Sequence, residues 1–240
     1  MKFMLDKLIN LLKDLLAPKK CYLCKCEGHF LCKKCSKKIP SFNSICYICK
    51  ETSYKFNVHG KCKDNIFFDK IIVLYHYKIK IINKLIKDGK FYNKKDIFTD
   101  FGDLMSKKLK ENIDFFNNED YIIIPTPLHF FKRFKRGYNQ SYIISKQISY
   151  NTGINVNKNL VYKAKHTRQQ SQLSKIDRIN NLQNSFKINK KQLDIIDNYK
   201  NKTVIIVDDV ISTGTTINEI SKILKEVGFK NIIGLVIASD

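Results

Sequence analysis

Residues 203–216 read TVIIVDDVISTGTT, and this stretch decides the fold. The β-branched run over residues 204–207 is typical of a buried strand in a parallel sheet. Ligands of open α/β sheets lie beyond the carboxyl ends of such strands, so the loop that follows is the expected binding site. Gly214 lets a backbone approach closely, and the amides that open the next helix attract anions. Hydroxyl donors come from Ser212, Thr213, Thr215 and Thr216.

This loop predicts a phosphate site, with an ordinary strand-turn-helix as the alternative. Thr216 and Glu219 also have the spacing of a capping box, which predicts that Thr216 caps the helix. Asp208 and Asp209 would repel a phosphate unless they met ribose hydroxyls or a divalent cation carried by the ligand. The chain has neither a Gly-Lys-[Ser/Thr] P-loop nor a Gly-x-Gly-x-x-Gly fingerprint, which argues against an ordinary nucleotide P-loop and against a dinucleotide site.

The part of the chain after residue 64 alternates between strand-like and helix-like segments, which is typical of an α/β fold with a mainly parallel sheet flanked by helices. A long polar segment interrupts the pattern at 163–184, and such segments are often lids or binding loops. The predicted strands are 70–77, 121–124, 160–162, 204–207 and 232–237. The predicted helices are 79–87, 100–110, 138–150 and 217–227.

Eight cysteines form the second strong pattern. Pairs separated by two residues suit tetrahedral zinc, because one turn presents both ligands while its amides steady the sulfurs. One predicted structural site comprises Cys21, Cys24, Cys32 and Cys35, and a second comprises Cys46, Cys49, His59 and Cys62. A cross-braced pairing is the alternative, and His59 could instead be a surface histidine that leaves the second site incomplete. Cys26 fits no pair and is interpreted as a bystander.

Composition adds weaker information. The formal net charge of +22 favours a polyanionic partner, but heavy use of Lys, Asn and Ile would also follow from an AT-rich coding sequence. Residues 1–18 have the periodicity of an amphipathic helix that packs on the protein or lies on a membrane surface. No run reaches the ~18 apolar residues of a membrane span, and no cleavable leader pattern opens the chain, so a cytoplasmic protein is expected. The predicted domains are this helix, a zinc-binding double-knuckle module at 19–64 and the α/β domain at 65–240.

Three motifs in order make the chain recognisable. Arg136-Gly-Tyr-Asn-Gln-Ser141 opens a helix, the acid-rich loop follows at 203–216, and paired cysteine knuckles precede both. Together they resemble the ComF family, competence-associated proteins with a type I phosphoribosyltransferase domain. The resemblance covers nearly the full length and implies a phosphoribosyltransferase-like fold that binds phosphoribosyl diphosphate with magnesium.

The resemblance also implies residue roles. Asp208 and Asp209 would hold the ribose hydroxyls and, through water, magnesium, and Arg136 would act with them in catalysis. Asn139 and Gln140 could contact diphosphate or a second substrate, although a helix-opening role fits Asn139 equally. The diphosphate loop would contain Pro125, Thr126 and Pro127, followed by Leu128. The 5′-phosphate loop would contain Val210, Ile211, Ser212, Thr213, Gly214, Thr215 and Thr216, and Arg168 and Arg178 could close over the site.

Two classes of function follow from the resemblance. The first is an enzyme that transfers ribose 5-phosphate from phosphoribosyl diphosphate to an unidentified acceptor. The second is a non-catalytic protein of natural transformation that binds single-stranded DNA, or an adaptor for a DNA-translocating ATPase. The chain stops directly after its last predicted strand, which leaves little sequence for an acceptor-binding hood.

Overall fold

A computed structural model describes residues 18–92, 94–113, 117–164, 185–192 and 196–240 of the chain. The helix predicted at the start of the chain lies outside these residues, as does most of the predicted lid with Arg168 and Arg178. The chain divides into two compact units, Met1–Pro40 and Ser41–Asp240. The second cysteine group therefore belongs with the α/β part rather than with the first group. Bridges from Ser41 to Tyr75 and from Asn57 to Lys70 connect its segment to the first strand of the sheet.

In the first unit, the described residues form a small cysteine-rich fold. A bridge joins Lys20 to Glu27, and helix α1, Lys33–Ser36, follows. The sulfur of Cys32 accepts a hydrogen bond from the Cys35 amide at 3.4 Å, which caps this helix. Few apolar side chains are buried here, so a bound metal would supply folding energy that a core this small cannot.

The described residues of the second unit form seven strands. They are β1 Lys70–His76, β2 Tyr121–Pro125, β3 Asn155–Val156, β4 Val161–Lys163, β5 Phe186–Ile188, β6 Thr203–Ile211 and β7 Asn231–Ser239. Five of them form a wholly parallel sheet in the order β1-β7-β6-β2-β3, and β4 and β5 form a separate antiparallel pair. The predicted mainly parallel α/β fold is confirmed. The strand predicted at 160–162 exists, but it lies in the antiparallel pair rather than in the main sheet.

The α-helices among the described residues of this unit are α2 Lys80–Phe91, α3 Asp96–Asn112, α4 Phe130–Arg136, α5 Gln140–Thr152 and α6 Thr215–Glu226. The four predicted helices are confirmed with shifted ends. Helix α4 was not predicted, because its three phenylalanines are exposed and give no core-facing stripe. Among the described residues, none of the helices has the length and hydrophobicity of a membrane span.

Close packing of the sheet brings the loops at its carboxyl edge together. Strand β6 lies between β7 and β2, and the middle of all three strands is buried. An added Cβ on Gly234 of β7 would lie 2.9 Å from Ile217 Cδ1, so the lack of a side chain at this position lets α6 pack close to the strand. The strand-loop-helix unit β6–α6 is therefore held tightly against the sheet, and the loop between them opens at the carboxyl edge.

Candidate functional site

Strand β6 carries the two acids further into the sheet than predicted. It extends to Ile211, so Asp208 and Asp209 lie within the strand rather than after it. The extension follows from continued pairing with β7, where Asp208 lies opposite Val236 and Ile211 lies opposite Ser239. Asp209 is buried and Asp208 is partly buried. Both carboxylates therefore have fixed positions next to the loop.

The loop after β6 has the features of an anion site. Gly214, at φ +80°, is the N-cap of α6 and has no side chain to bond the first-turn amides. The capping-box prediction is therefore wrong, because α6 begins at Thr215 and places Thr216 inside the helix. The hydroxyls of Thr213 and Thr215 are 2.8 Å apart. Converging hydroxyls and helix-opening amides can surround a phosphate group. Val210 is partly buried and Ile211 is buried, so these two shape the strand end.

The predicted diphosphate loop lies beside this site. Pro125 ends β2, and the Thr126 amide donates to the Val207 carbonyl at 2.9 Å, which joins the loop to β6. The side-chain oxygen of Thr126 is buried and has no hydrogen-bond partner within the described part of the chain. A buried hydroxyl without a partner is costly, so this atom suits a ligand oxygen. Pro127 and Leu128 are partly buried next to it.

The amides of the Arg-Gly-Tyr-Asn-Gln-Ser motif bond to the protein itself. Asn139 accepts from the Ser141 amide at 3.0 Å and caps α5, and its Nδ2 donates to the Thr126 carbonyl at 3.0 Å. Gln140 is buried and accepts from Arg136 Nη1 at 2.5 Å. The helix-opening role of Asn139 is confirmed. These two amides therefore position the Thr126 backbone and the Arg136 guanidinium.

Asp208 is held by neighbours that leave part of it available. Its Oδ1 accepts from the Ser141 hydroxyl at 3.1 Å and from the Asp209 amide at 2.9 Å, whereas no described residue donates to its Oδ2. Burial, and next the charge of Asp209, raise the pKa of Asp208 to about 7. A carboxylate in this state gains from sugar hydroxyls or a cation near Oδ2. The donor set therefore fits a ribose and hydrated magnesium.

Sequence reasoning missed three lysines near these acids. Lys90 of α2 forms an ion pair with Asp209, with Nζ 2.9 Å from Oδ2. Burial, and next the charge of Lys132, lower the pKa of Lys163 to about 8, and the charge of Asp208 opposes the shift. Burial also lowers the pKa of Lys132, assisted by Arg136 and Lys90. Cations that repel one another while partly desolvated form a site suited to a multiply charged anion.

These lysines gave no signal in the sequence. Lysine is abundant in the chain, and Lys90, Lys132 and Lys163 stand far apart along it and outside any motif. Only the tertiary structure brings the three side chains close enough for their charges to interact with one another and with the acids.

The second cysteine group has the geometry of a four-ligand metal site. The ligand atoms of Cys46, Cys49, His59 and Cys62 all lie within 4.8 Å of one another. His59 Nδ1 is 3.3 Å from Cys49 Sγ, and a tetrahedral zinc site separates such atoms by about 3.6 Å. Burial by itself would raise the pKa of Cys46, but the amides of Cys49 and His59 lower it to about 7. These residues could hold a metal ion, and His59 points toward the sulfurs.

In the first group, Cys26 takes the place that the sequence predicted for Cys35. The sulfurs of Cys21, Cys24, Cys26 and Cys32 lie within 4.8 Å of one another, and Cys24 and Cys32 are 3.7 Å apart. The bystander interpretation of Cys26 is therefore wrong. The Cys35 thiol forms a hydrogen bond with Cys24 of this group, and this bond is the main reason that the pKa of Cys35 rises to about 12. Both groups join knuckles adjacent in sequence, which argues against the cross-braced alternative.

Comparison with known proteins agrees with this geometry. Residues 91–240 match the model of the phosphoribosyl transferase domain. Competence protein F of Haemophilus influenzae is 33% identical over 219 residues, which is 89% of this chain and 93% of the relative. The DNA utilization protein YhgH of Salmonella typhi is 29% identical over 102 residues, 42% of each chain.

An all-parallel sheet whose central strand carries two acids into a hydroxyl-rich loop defines a domain of the phosphoribosyltransferase class. The chain belongs to the ComF family of competence-associated proteins with such a domain.

Proposed function

We propose that the chain binds phosphoribosyl diphosphate together with magnesium at the carboxyl end of β6. The observation that carries the proposal is the convergence of two acids, an anion loop and four cationic side chains on one end of one strand. The loop 212–216 would hold the 5′-phosphate, and Asp208 and Asp209 would face the ribose hydroxyls. Lys132, Lys163 and Arg136 would neutralise the diphosphate, whereas Lys90 would stay paired with Asp209.

Each residue has a separate part in the transfer reaction that this site would support. Bound magnesium would supply charge neutralisation to the departing diphosphate. The buried Thr126 hydroxyl would donate to a diphosphate oxygen, and Asn139 would hold the Thr126 backbone in place. The loop amides would fix the phosphate so that little reorganisation is needed when the bond to the leaving group breaks.

Isothermal titration of the full chain with phosphoribosyl diphosphate tests the proposal. Saturable binding at one site that needs magnesium is the expected result. Heat that is the same with and without magnesium, or no binding at all, would reject it. Diphosphate release is then measured with and without single-stranded DNA, because the acceptor is unidentified.

We also propose that both cysteine groups bind structural zinc. Purified protein is expected to contain two equivalents of zinc, and Cys62→Ser is expected to retain one, because three remaining ligands hold the ion far less tightly. Elemental analysis measures the zinc content of each variant, and titration of free thiols shows whether the cysteines are reduced. Disulfides in place of metal would contradict the proposal.

A second candidate function, binding of single-stranded DNA, rests on helix α4. Its side chains Phe130, Phe131 and Phe134 are 70%, 64% and 81% exposed and alternate with lysines and arginines. The rings of Phe130 and Phe134 are stacked at 6.4 Å. Exposed aromatic rings between cations are the usual platform for unpaired bases and their phosphates. The names of the relatives, competence protein and DNA utilization protein, are consistent with such a ligand.

The double variant Phe130→Ala/Phe134→Ala is expected to weaken oligothymidine binding at least about tenfold, because each stacked base contributes roughly 1–3 kcal/mol. Fluorescence anisotropy at two salt concentrations measures this loss, and the salt dependence should remain because the cations remain. Tyr150→Ala is the matched control, since Tyr150 is 85% exposed on α5. If the double variant bound oligothymidine as tightly as the wild type, the basic charge alone would account for DNA binding and the stacking role of the phenylalanines would be rejected.

A further inference from the structure

The second cysteine group is connected to the phosphate loop by a tyrosine. Tyr47 lies between Cys46 and Cys49 and is only 4% exposed. Its hydroxyl donates to the Ser212 carbonyl at 2.8 Å and lies 3.5 Å from the Ser239 hydroxyl at the end of β7. The knuckle therefore bonds directly to the first residue of the loop.

The ring of Tyr47 also packs on the loop backbone. A Cβ built on Gly214 would lie 3.1 Å from Tyr47 Cε1, closer than most real contacts. Gly214 is thus constrained twice, once by its positive φ and once by this ring. The ring lies against the residue that opens α6, where the amides predicted to bind phosphate begin.

The chain just after the last cysteine of this group is bonded to helix α6, which follows the phosphate loop. Asn218, in the first turn of α6, accepts from the Phe67 amide and donates to the Asn65 carbonyl, each at 2.9 Å. Asn65 and Phe67 follow shortly after Cys62, the last ligand of the group. The segment that would bind the metal is therefore attached at both ends. Tyr47, near its start, bonds to the phosphate loop, and Asn65 and Phe67, just after its last ligand, bond to Asn218 of α6.

We infer that the second metal site is a support for the sugar-phosphate loop, with Tyr47 as the positioning residue that couples metal binding to loop order. Metal binding would fix residues 46–62, and Tyr47 would then hold Ser212 and Gly214 in the conformation that exposes the helix-opening amides. By linkage, a ligand on the loop would in turn strengthen metal binding. This inference rests on the proposed function for its ligand, but not for its effect on the loop.

Hydrogen exchange of the amides at 212–218 in the zinc-loaded full chain without other ligand is the primary measurement. Tyr47→Ala is expected to accelerate this exchange at least about tenfold while zinc content stays at two equivalents, because local opening no longer breaks the ring and hydroxyl contacts. Tyr47→Phe keeps the ring and should accelerate exchange by about fivefold or less, the effect of one neutral hydrogen bond. Tyr54→Ala is the control, since Tyr54 lies in the same segment but is 70% exposed.

Variants of His59 separate metal binding from the tyrosine. His59→Ala should lose one zinc equivalent and accelerate exchange at 212–218, whereas His59→Cys restores four ligands and should behave as the wild type. Titration with phosphoribosyl diphosphate should show weaker binding for Tyr47→Ala than for Tyr47→Phe, the same order as their effects on hydrogen exchange. Unchanged exchange at 212–218 in Tyr47→Ala, or in a folded His59→Ala that lacks zinc, would overturn the inference. If only the wild-type titration fails, the proposed ligand is wrong and the coupling stands.

Discussion

Replacing Asp208 and Asp209 together by asparagine is expected to weaken binding of magnesium phosphoribosyl diphosphate at least about 100-fold. Each carboxylate would accept hydrogen bonds from sugar hydroxyls or cation-bound water, and such charged bonds contribute about 1.5–3 kcal/mol each. Asparagine keeps the volume but offers one acceptor oxygen and no charge. Isothermal titration at fixed magnesium measures the loss.

A control with the same change of charge is available on the surface. Asp120→Asn/Glu226→Gln removes two exposed carboxylates outside the site and should bind as the wild type. Binding of single-stranded DNA by the Asp208/Asp209 double variant should stay equal or increase, because two negative charges are lost from a basic protein. If the double variant retained wild-type affinity for the sugar diphosphate, the two acids would have no role in binding it.

The second large effect concerns stability and pH. The fold raises the pKa of Asp208 from 3.8 to about 7, first through burial and then through Asp209. The protonated form is therefore favoured in the folded state, and its contribution to stability is complete below about pH 4 and is lost as pH rises toward 7. Without ligand, Asp208→Asn should thus be more stable than the wild type at pH 8, by about 4 kcal/mol, and by much less at pH 4.

Urea unfolding at pH 4, 6 and 8 measures this difference in the free energy of unfolding. Glu226→Gln, which removes an exposed carboxylate from α6, should follow the wild type at every pH. A constant difference between Asp208→Asn and the wild type across these pH values would contradict the shifted pKa. Asp208→Asn is thus expected to gain stability while it loses ligand binding. Such a trade-off is typical of binding sites in which like charges repel one another until the ligand is bound.

Lys90 explains why the acid pair is tolerated without ligand. Its ammonium lies 2.9 Å from Asp209 and offsets one of the two charges, so the repulsion acts mainly on Asp208. Binding of a cation and sugar hydroxyls near Asp208 Oδ2 would relieve the remaining cost. The site is therefore preorganised in the sense that its strain is reduced when a ligand of the proposed chemistry arrives.

Short-range chemistry made several features predictable. The run TVIIVDDVISTGTT contains its own strand periodicity, its anion-binding residues and its turn glycine within 14 positions. The cysteine knuckles are equally local, since two ligands on one turn need no distant partner. The strand ends and the cap of α6 were less accurate, because pairing with β7 extends β6 through both acids and because Gly214, with its left-handed φ, takes the cap position from Thr216.

The sequence by itself determined the parallel α/β class, the acid-rich loop and most of the candidate metal ligands, because each of these features depends on residues that lie close together in the chain. Only the tertiary structure decided which lysines face the acids, that Cys26 joins the first thiol group, and that Tyr47 and Asn218 connect the second group to β6–α6. Contacts such as Tyr47 to Ser212 join residues 165 positions apart. Such contacts exist only after the sheet has brought distant segments to one edge, and no local pattern encodes that proximity.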